Sequence, residues 1–316
     1  MNKKILITGG AGFIGSHLCK NLLESGNQVI CLDNLSTGST KNIENLIHEH
    51  KDNFQFINGC VTQTIDIQVD QIYNLACPAS PDKYQIDPIQ TIKTSFIGSL
   101  NLLELTKKNN GKILQASTSE VYGDSMISPQ TEDYFGNVNT VGPRSCYDEG
   151  KRAAETLFYD FNREHKINIR IARIFNTYGP NMSVNDGRVV SNFLTQSIAN
   201  KDITIYGDGH QTRSFCYVDD TINGLIKLMD SQKDIFTPVN IGSTNEISVK
   251  DLASMCIELC NSNSKIIYKP LPIDDPKRRK PCIKKAWNLM KWAPTVDIKD
   301  GLTISASYFR KKLDLC

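Results

Sequence analysis

An α/β protein with a doubly wound parallel sheet and a smaller C-terminal lobe follows from three features of these 316 residues. Short β-branched runs alternate with helical stretches through the first half of the chain. A glycine-rich turn, GGAGFIG, joins the first run to the first helical stretch. From about residue 179 the texture changes to loops rich in Gly, Asn, Asp and Pro. Strands alternating with helices form βαβ units, whose parallel strands are covered on both faces.

Residues 4–8, KILIT, form the first strand and stop at Gly9-Gly10. Residues 16–25 keep helical spacing, with Leu18, Leu22 and Leu23 apolar. The second strand, 28–32, ends at Asp33, and further strands are expected at 54–57, 71–75, 112–116 and 169–174. Helical patterns over 91–108 and 147–165 carry apolar stripes, Ile97, Leu100 and Leu103 on one and Ala154, Leu157 and Phe161 on the other. In the second half, helices at 188–200 and 249–261 alternate with strands at 203–206 and 265–268.

Hydrophobic residues make up 40% and charged residues 22%, the balance of an ordinary globular protein. A formal net charge of +2 argues for neither nucleic acid nor an anionic membrane as partner. No run of 18 apolar residues and no apolar leader occurs, so a cytoplasmic protein is expected. The ten cysteines (19, 31, 60, 77, 146, 216, 256, 260, 282 and 316) contain no CxxC pair and read as buried thiols in a reducing compartment, with no metal site.

Gly9, Gly12 and Gly15 follow a strand and open a helix, where a backbone without Cβ atoms can approach a pyrophosphate at a helix N-terminus. Asp33, at the end of the second strand, can accept both hydroxyls of an adenosine ribose and would repel a 2′-phosphate. The combination points to a Rossmann-like nucleotide end and to NAD rather than NADP. Tyr147 and Lys151, four apart in a helical pattern, project from one face. A nearby ammonium lowers a phenol's pKa from about 10, so the tyrosine can act as a base. The stretch STSEVYG plants a carboxylate, Glu120, beside the hydroxyls of Thr118 and Ser119 where the fifth strand runs out into a loop.

The glycine turn, the hydroxyl after strand five and the YxxxK pair resemble the extended short-chain dehydrogenase/reductase superfamily. Within it the chain looks most similar to the UDP-glucuronic acid decarboxylase family, also called UDP-xylose synthases. The carrying motifs are NLACPASP (74–81), ASTSEVYGD (116–124), GPRSCYDEGKR (142–152), RIFNTYGPNM (173–182), DGRVVSNF (186–193), YGDGHQTRSFCYV (206–218) and DDPKRRKP (274–281). That family implies oxidation of a UDP-linked glucuronate at C4 by bound NAD, loss of CO2 from the 4-keto sugar, and return of hydride to give UDP-xylose.

The resemblance implies a division into an NAD-binding domain, 1–178 plus about 215–243, and a UDP-sugar-binding lobe, 179–214 and 244–316. Tyr147, Lys151, Thr118, Ser119, Glu120 and Arg279 match the catalytic positions, with Arg278 the alternative to Arg279. Glu120 would face the sugar carboxylate, raising its ground-state energy, or order a proton-delivering water with Ser119. NAD contacts are implied for Gly9, Gly12, Phe13, Ile14, Gly15, Asp33, Asn34, Ser36, Thr37, Gly38, Cys60, Val61, Leu75, Cys77, Thr94, Tyr147, Lys151 and Thr177. Substrate contacts are implied for Pro78, Lys93, Thr118, Glu120, Asn176, Arg188, Tyr206, Arg213 and Arg279. Cys60 stands where the family has an Asp beside the adenine, and Asp66 where an apolar or aromatic residue is usual, so the adenine end is expected to be held differently. The resemblance also implies a homodimer in which the two long helices pair across a two-fold axis into a four-helix bundle, although each apolar stripe could equally be buried against its own sheet. The rival readings are a UDP-apiose/xylose synthase, another nucleotide-sugar 4-epimerase or 4,6-dehydratase, and an NAD-binding regulator without activity.

Overall fold

The computed structural model describes residues 2–232, 234–272 and 278–313. Cys316 and the first four residues of the motif at 274–281 lie outside the described residues. In chain order the strands are β1 (Lys4–Thr8), β2 (Gln28–Asp33), β3 (Phe54–Asn58), β4 (Gln71–Asn74), β5 (Lys112–Thr118), β6 (Asn168–Ile174), β7 (Thr177–Tyr178), β8 (Ile203–Tyr206), β9 (Thr212–Ser214), β10 (Cys216–Tyr217), β11 (Val239–Ile241), β12 (Glu246–Ser248), β13 (Ile266–Lys269) and β14 (Arg278–Arg279). The helices are α1 (Phe13–Glu24), α2 (Glu44–Glu49), α3 (Pro81–Tyr84), α4 (Pro88–Asn109), α5 (Ser145–His165), α6 (Val189–Ile198), α7 (Val218–Asp230), α8 (Val249–Cys260), α9 (Lys284–Met290) and α10 (Ile298–Leu313).

Seven parallel strands form the main sheet in the order β11-β6-β5-β4-β1-β2-β3. Alternation along β1 explains why KILIT reads as continuously apolar. Ile5 and Ile7 pack into one layer with Leu18 and Leu22 of α1 and Leu225 of α7. Leu6 packs into the other with Leu102 and Leu103 of α4 and Phe158 of α5. The strand order reverses between β1 and β4, which opens a crevice at their carboxyl ends.

The smaller lobe stacks α6, α8 and α10 beside two small sheets. The two strands expected there pair in parallel, from Ile203 opposite Ile266 to Tyr206 opposite Lys269. The other sheet, β12-β9-β14, sets Arg213 directly opposite Arg279.

Several features differ from the sequence reading. α1 begins at Phe13, three residues early, because Gly12 caps it in an extended conformation and the glycine turn runs straight into the helix. β5 continues to Thr118, and STSEVYG is not a loop: residues 119–122 form a 3₁₀ turn whose first free amide, Glu120 N, is accepted by Thr118 Oγ1 at 3.2 Å. β11 adds a seventh strand of three residues, too short for periodicity to reveal. Among the described residues no helix is long and apolar enough to cross a membrane.

Candidate active site

A cavity of about 1070 Å³ runs from the glycine turn, across the carboxyl ends of the sheet, to the smaller lobe. At its start Gly9 takes φ +71°, and a Cβ there would meet the Leu75 carbonyl carbon at 2.9 Å. A Cβ at Gly15 would overlap the Gly9 carbonyl oxygen, so helix and turn close only on glycine. Asp33 accepts from Ala11 N at 3.0 Å and Leu35 N at 2.8 Å. Burial pushes its carboxyl up, while these backbone donors pull it down. A cradle without side chains and an acid at the end of β2, within one cavity, fit a dinucleotide.

The other expected cofactor residues, Phe13, Ile14, Asn34, Ser36, Thr37, Gly38, Cys60, Val61, Leu75, Cys77, Thr94 and Thr177, all line this cavity with Gly12. Cys60 Sγ lies 3.1 Å from Thr62 Oγ1. Asp66 lines no part of the cavity and pairs with Lys108 at 2.7 Å on the surface, so only one of the two departures bears on the adenine end. Lys93 is a correction. It is exposed and lines no part of the cavity, because successive helical residues turn by about 100° and it is the neighbouring Thr94 that faces inward.

At the far end of β5, Thr118 hydrogen-bonds the Tyr147 phenol. Lys151 Nζ donates to Ala116 O at 2.8 Å and lies 5.9 Å from the Tyr147 ring centroid. The expected lowering of the phenol by lysine is not what the chain produces by itself. Burial, then Cys77, push Tyr147 up, Thr118 draws it down, and burial lowers Lys151. Burial is the largest cause for both groups.

Glu120 is also not a bare carboxylate. Its Oε2 accepts from Arg144 Nη2 at 2.6 Å and Arg279 Nη2 at 3.1 Å, and its Oε1 lies 2.8 Å from Arg279 Nη1. Burial would raise Glu120, but Arg279 and Arg144 outweigh it and hold the acid below its ordinary value. One anion between two cations leaves the cluster positive, so a sugar carboxylate here meets net attraction rather than repulsion.

Ser119, Asn176, Arg188, Pro78, Tyr206 and Arg213 line the same cavity. Arg188 pairs with Asp186 through Nη2 at 2.8 Å and lies over the Phe13 ring. Tyr206 is 44% exposed and therefore not core. Arg279 Nη1 also donates to Asn176 Oδ1 at 3.4 Å.

Sequence reasoning gave no role to Arg144, Asp186, Tyr84 or Asp148. Tyr84 stacks flat on Tyr147, with ring centroids 5.0 Å apart and planes 2° apart. Asp148 is buried behind it, and burial, then the neighbouring Glu120, push its carboxyl up to about 8. A buried acid one residue after a candidate base was the one visible signal.

A family model described as GDP-mannose 4,6 dehydratase matches residues 6–304. UDP-glucuronic acid decarboxylase 5 of Arabidopsis thaliana is 51% identical over 313 residues, covering 99% of this chain and 91% of the relative. UDP-glucuronic acid decarboxylase 1 of Xenopus tropicalis is 50% identical over 313 residues, covering 99% of this chain and 73% of the relative. The chain belongs to the UDP-glucuronic acid decarboxylase family. Among solved structures, UDP-glucuronic acid 4-epimerase from Bacillus cereus, in complex with UDP-glucuronic acid and NAD, superposes with a TM-score of 0.88 at 31% identity, covering 98% of this chain and 99% of that one. UDP-glucose 4-epimerase from Thermotoga maritima, with UDP-glucose, gives 0.89 at 29% identity over 98% and 99%. The decarboxylase family therefore shares its scaffold with 4-epimerases, and the difference in chemistry must lie in side chains.

Proposed function

We propose that the chain converts UDP-glucuronate to UDP-xylose and CO2 with NAD as its resident cofactor. The observation that carries this is one cavity holding two sets of groups: Thr118, Tyr147 and Lys151 for alcohol oxidation, and Glu120, Arg144 and Arg279 for an acid sugar. Tyr147 takes the proton of the sugar O4 hydroxyl while Thr118 hydrogen-bonds at the same oxygen. When bound, NAD would supply the acceptor and donor of the C4 hydride. The C4 ketone is β to the carboxylate, so CO2 leaves with its electrons delocalised into an enolate. Arg279 and Arg144 hold the acid and then face that enolate, and Glu120 fixes the two guanidiniums in place. Protonation at C5, return of hydride to C4 and return of a proton to O4 complete the cycle without net redox change.

Arg188 and Arg213 are assigned to the diphosphate, Tyr206 to the uracil, and Asn176, Pro78 and Ser119 to the sugar end. Residues 1–178 with about 215–243 form the cofactor domain, and the remaining 179–214 and 244–316 the UDP-sugar lobe. A homodimer through α4 and α5 is supported by the exposed Ile89, Ile92, Phe96, Ile97 and Tyr159 on those helices.

Incubation with UDP-glucuronate, measuring CO2 and the released sugar, tests the reading. UDP-xylose with equal CO2 is expected. A 4-epimer without CO2 would transfer the chain to the epimerase reading that the Bacillus cereus likeness favours. A branched pentose would point to an apiose/xylose synthase, and no turnover despite NAD binding to a regulator.

A further inference from the structure

Two buried carboxyls share one pair of guanidiniums here, and their environments differ. Glu120 is bracketed by Arg144 and Arg279. Asp148, in the first turn of α5, is buried, and its Oδ1 has no hydrogen-bond partner among the described residues. The Tyr84 hydroxyl is likewise buried without a partner among them. Tyr84 lines the cavity, whereas Asp148 stands behind that lining. The charged and titratable groups that face Asp148 are Glu120 from the 3₁₀ turn, Arg144, Cys146, Tyr147 and Glu149 at the start of α5, Arg279 from β14 and Tyr84 from α3. Burial and Glu120 push Asp148 up to about 8 while the two arginines hold Glu120 low, the divergence that separates an acid from an anion in paired carboxyls. Buried polar atoms without protein partners are commonly bridged by an ordered water.

The proton balance of the reaction leaves a place for such a group. Tyr147 takes a proton from O4 and returns one there when hydride comes back, so its contribution cancels over the cycle. The carbon that loses CO2 exchanges a C–C bond for a C–H bond, and that proton needs a separate source. Glu120, ionised between two arginines, has none to give.

We infer that the Asp148 carboxyl is the proton store for that carbon, acting through a water held between its Oδ1 and the Tyr84 hydroxyl; this rests on the decarboxylase reading above. The enolate electron pair forms the new C5–H bond as a water O–H bond breaks. The Asp148 O–H proton refills the water, leaving a carboxylate that faces Arg144 and Arg279. Bulk water reprotonates Asp148 before the next turnover. Asp148 does not touch the sugar and is a positioning residue.

The test is Asp148→Asn in the NAD-loaded, full-length enzyme, with Tyr84→Phe as a second variant that keeps the stacked ring. With UDP-glucuronate both variants should reach NADH and CO2 at close to the wild-type first-turnover rate, then stall at a 4-keto pentose. Steady-state kcat should fall about 100-fold, the ordinary worth of a general acid, with KM little changed. Wild-type turnover should decline as pH rises through about 8, when the store empties, and Asp148→Asn should lack that limb. The infrared C=O band of a protonated carboxyl should titrate over the same range in the wild type and be missing from Asp148→Asn. Wild-type kcat with an unchanged alkaline limb in Asp148→Asn overturns the inference. If that variant does not fold, wild-type kcat and an unchanged limb in Tyr84→Phe overturn it instead. If the wild type releases no CO2, the decarboxylase reading falls and takes this one with it.

Discussion

Glu120→Gln keeps the shape of the residue and removes its charge, and it should yield a less stable and nearly inactive enzyme. Oε2 accepts from Arg144 Nη2 at 2.6 Å and Arg279 Nη2 at 3.1 Å, and Oε1 meets Arg279 Nη1 at 2.8 Å. Both oxygens face N–H donors, so either orientation of a glutamine amide turns its own N–H groups against a guanidinium. The three side chains are only 9%, 8% and 13% exposed, which puts the cluster in the range of buried rather than surface ion pairs. Removing one member of a buried pair costs about 3 kcal/mol or more, against less than about 1 for an exposed pair. At about 2 °C per kcal/mol for a chain of this size, Tm should fall by about 6 °C.

Calorimetry at neutral pH, with and without UDP-glucuronate, measures this loss. The sugar carboxylate can stand against the freed arginines, so the ligand should raise the Tm of the variant more than that of the wild type. CO2 release should fall about 100-fold while UDP-sugar binding survives. Asp148 would lose the neighbour that pushes it up and keep the two arginines that pull it down, so the alkaline limb of turnover should move below pH of about 8. A variant as stable as the wild type, or one releasing CO2 at the wild-type rate, would refute the reasoning.

Tyr147→Phe should keep NAD binding and Tm but lose about 10²- to 10⁴-fold in turnover, read as NADH formed in a single turnover. Gly15→Ala drives a methyl into the Gly9 carbonyl and should cost about 1–3 kcal/mol in urea unfolding, with weaker NAD binding by titration calorimetry. Phe96→Asp, on the exposed apolar side of α4, should turn a dimer into monomers in sedimentation while leaving the far-ultraviolet dichroism unchanged.

Six of the seven main-sheet strands were legible because their two-sided burial leaves continuous apolar runs, as Ile5, Leu6 and Ile7 illustrate. Tyr147 and Lys151 were legible because an i, i+4 pair keeps its meaning wherever the helix lies. Arg144 was not. It precedes a helix, and only the return of Glu120 and Arg279 to the same point makes it part of a site. Strand register does the same for Arg213 and Arg279, distant in sequence and opposite each other between β9 and β14. Lys93 was misplaced by matching a motif without its helical phase, and one residue of offset decides whether a side chain sees the cavity or the solvent. The protonation of Asp148 cannot be read from a sequence at all, since it depends on burial and then on a second carboxylate that the fold brings alongside.

The inferred proton store also changes what Glu120 has to do. With Asp148 neutral, Glu120, Arg144 and Arg279 together carry a single positive charge. A sugar carboxylate cancels it, and decarboxylation moves that negative charge onto the enolate while a neutral molecule leaves. Protonation from Asp148 then moves the charge once more, onto a carboxyl already facing the same two guanidiniums. At each stage one negative charge answers one net positive charge, so no step has to create an uncompensated buried ion. A second anion at position 120 is what makes this arrangement work. Without Glu120, burial and Glu149 alone would oppose the two arginines, and Asp148 would give up its proton at lower pH, before the carbon that has lost its carboxylate can take it.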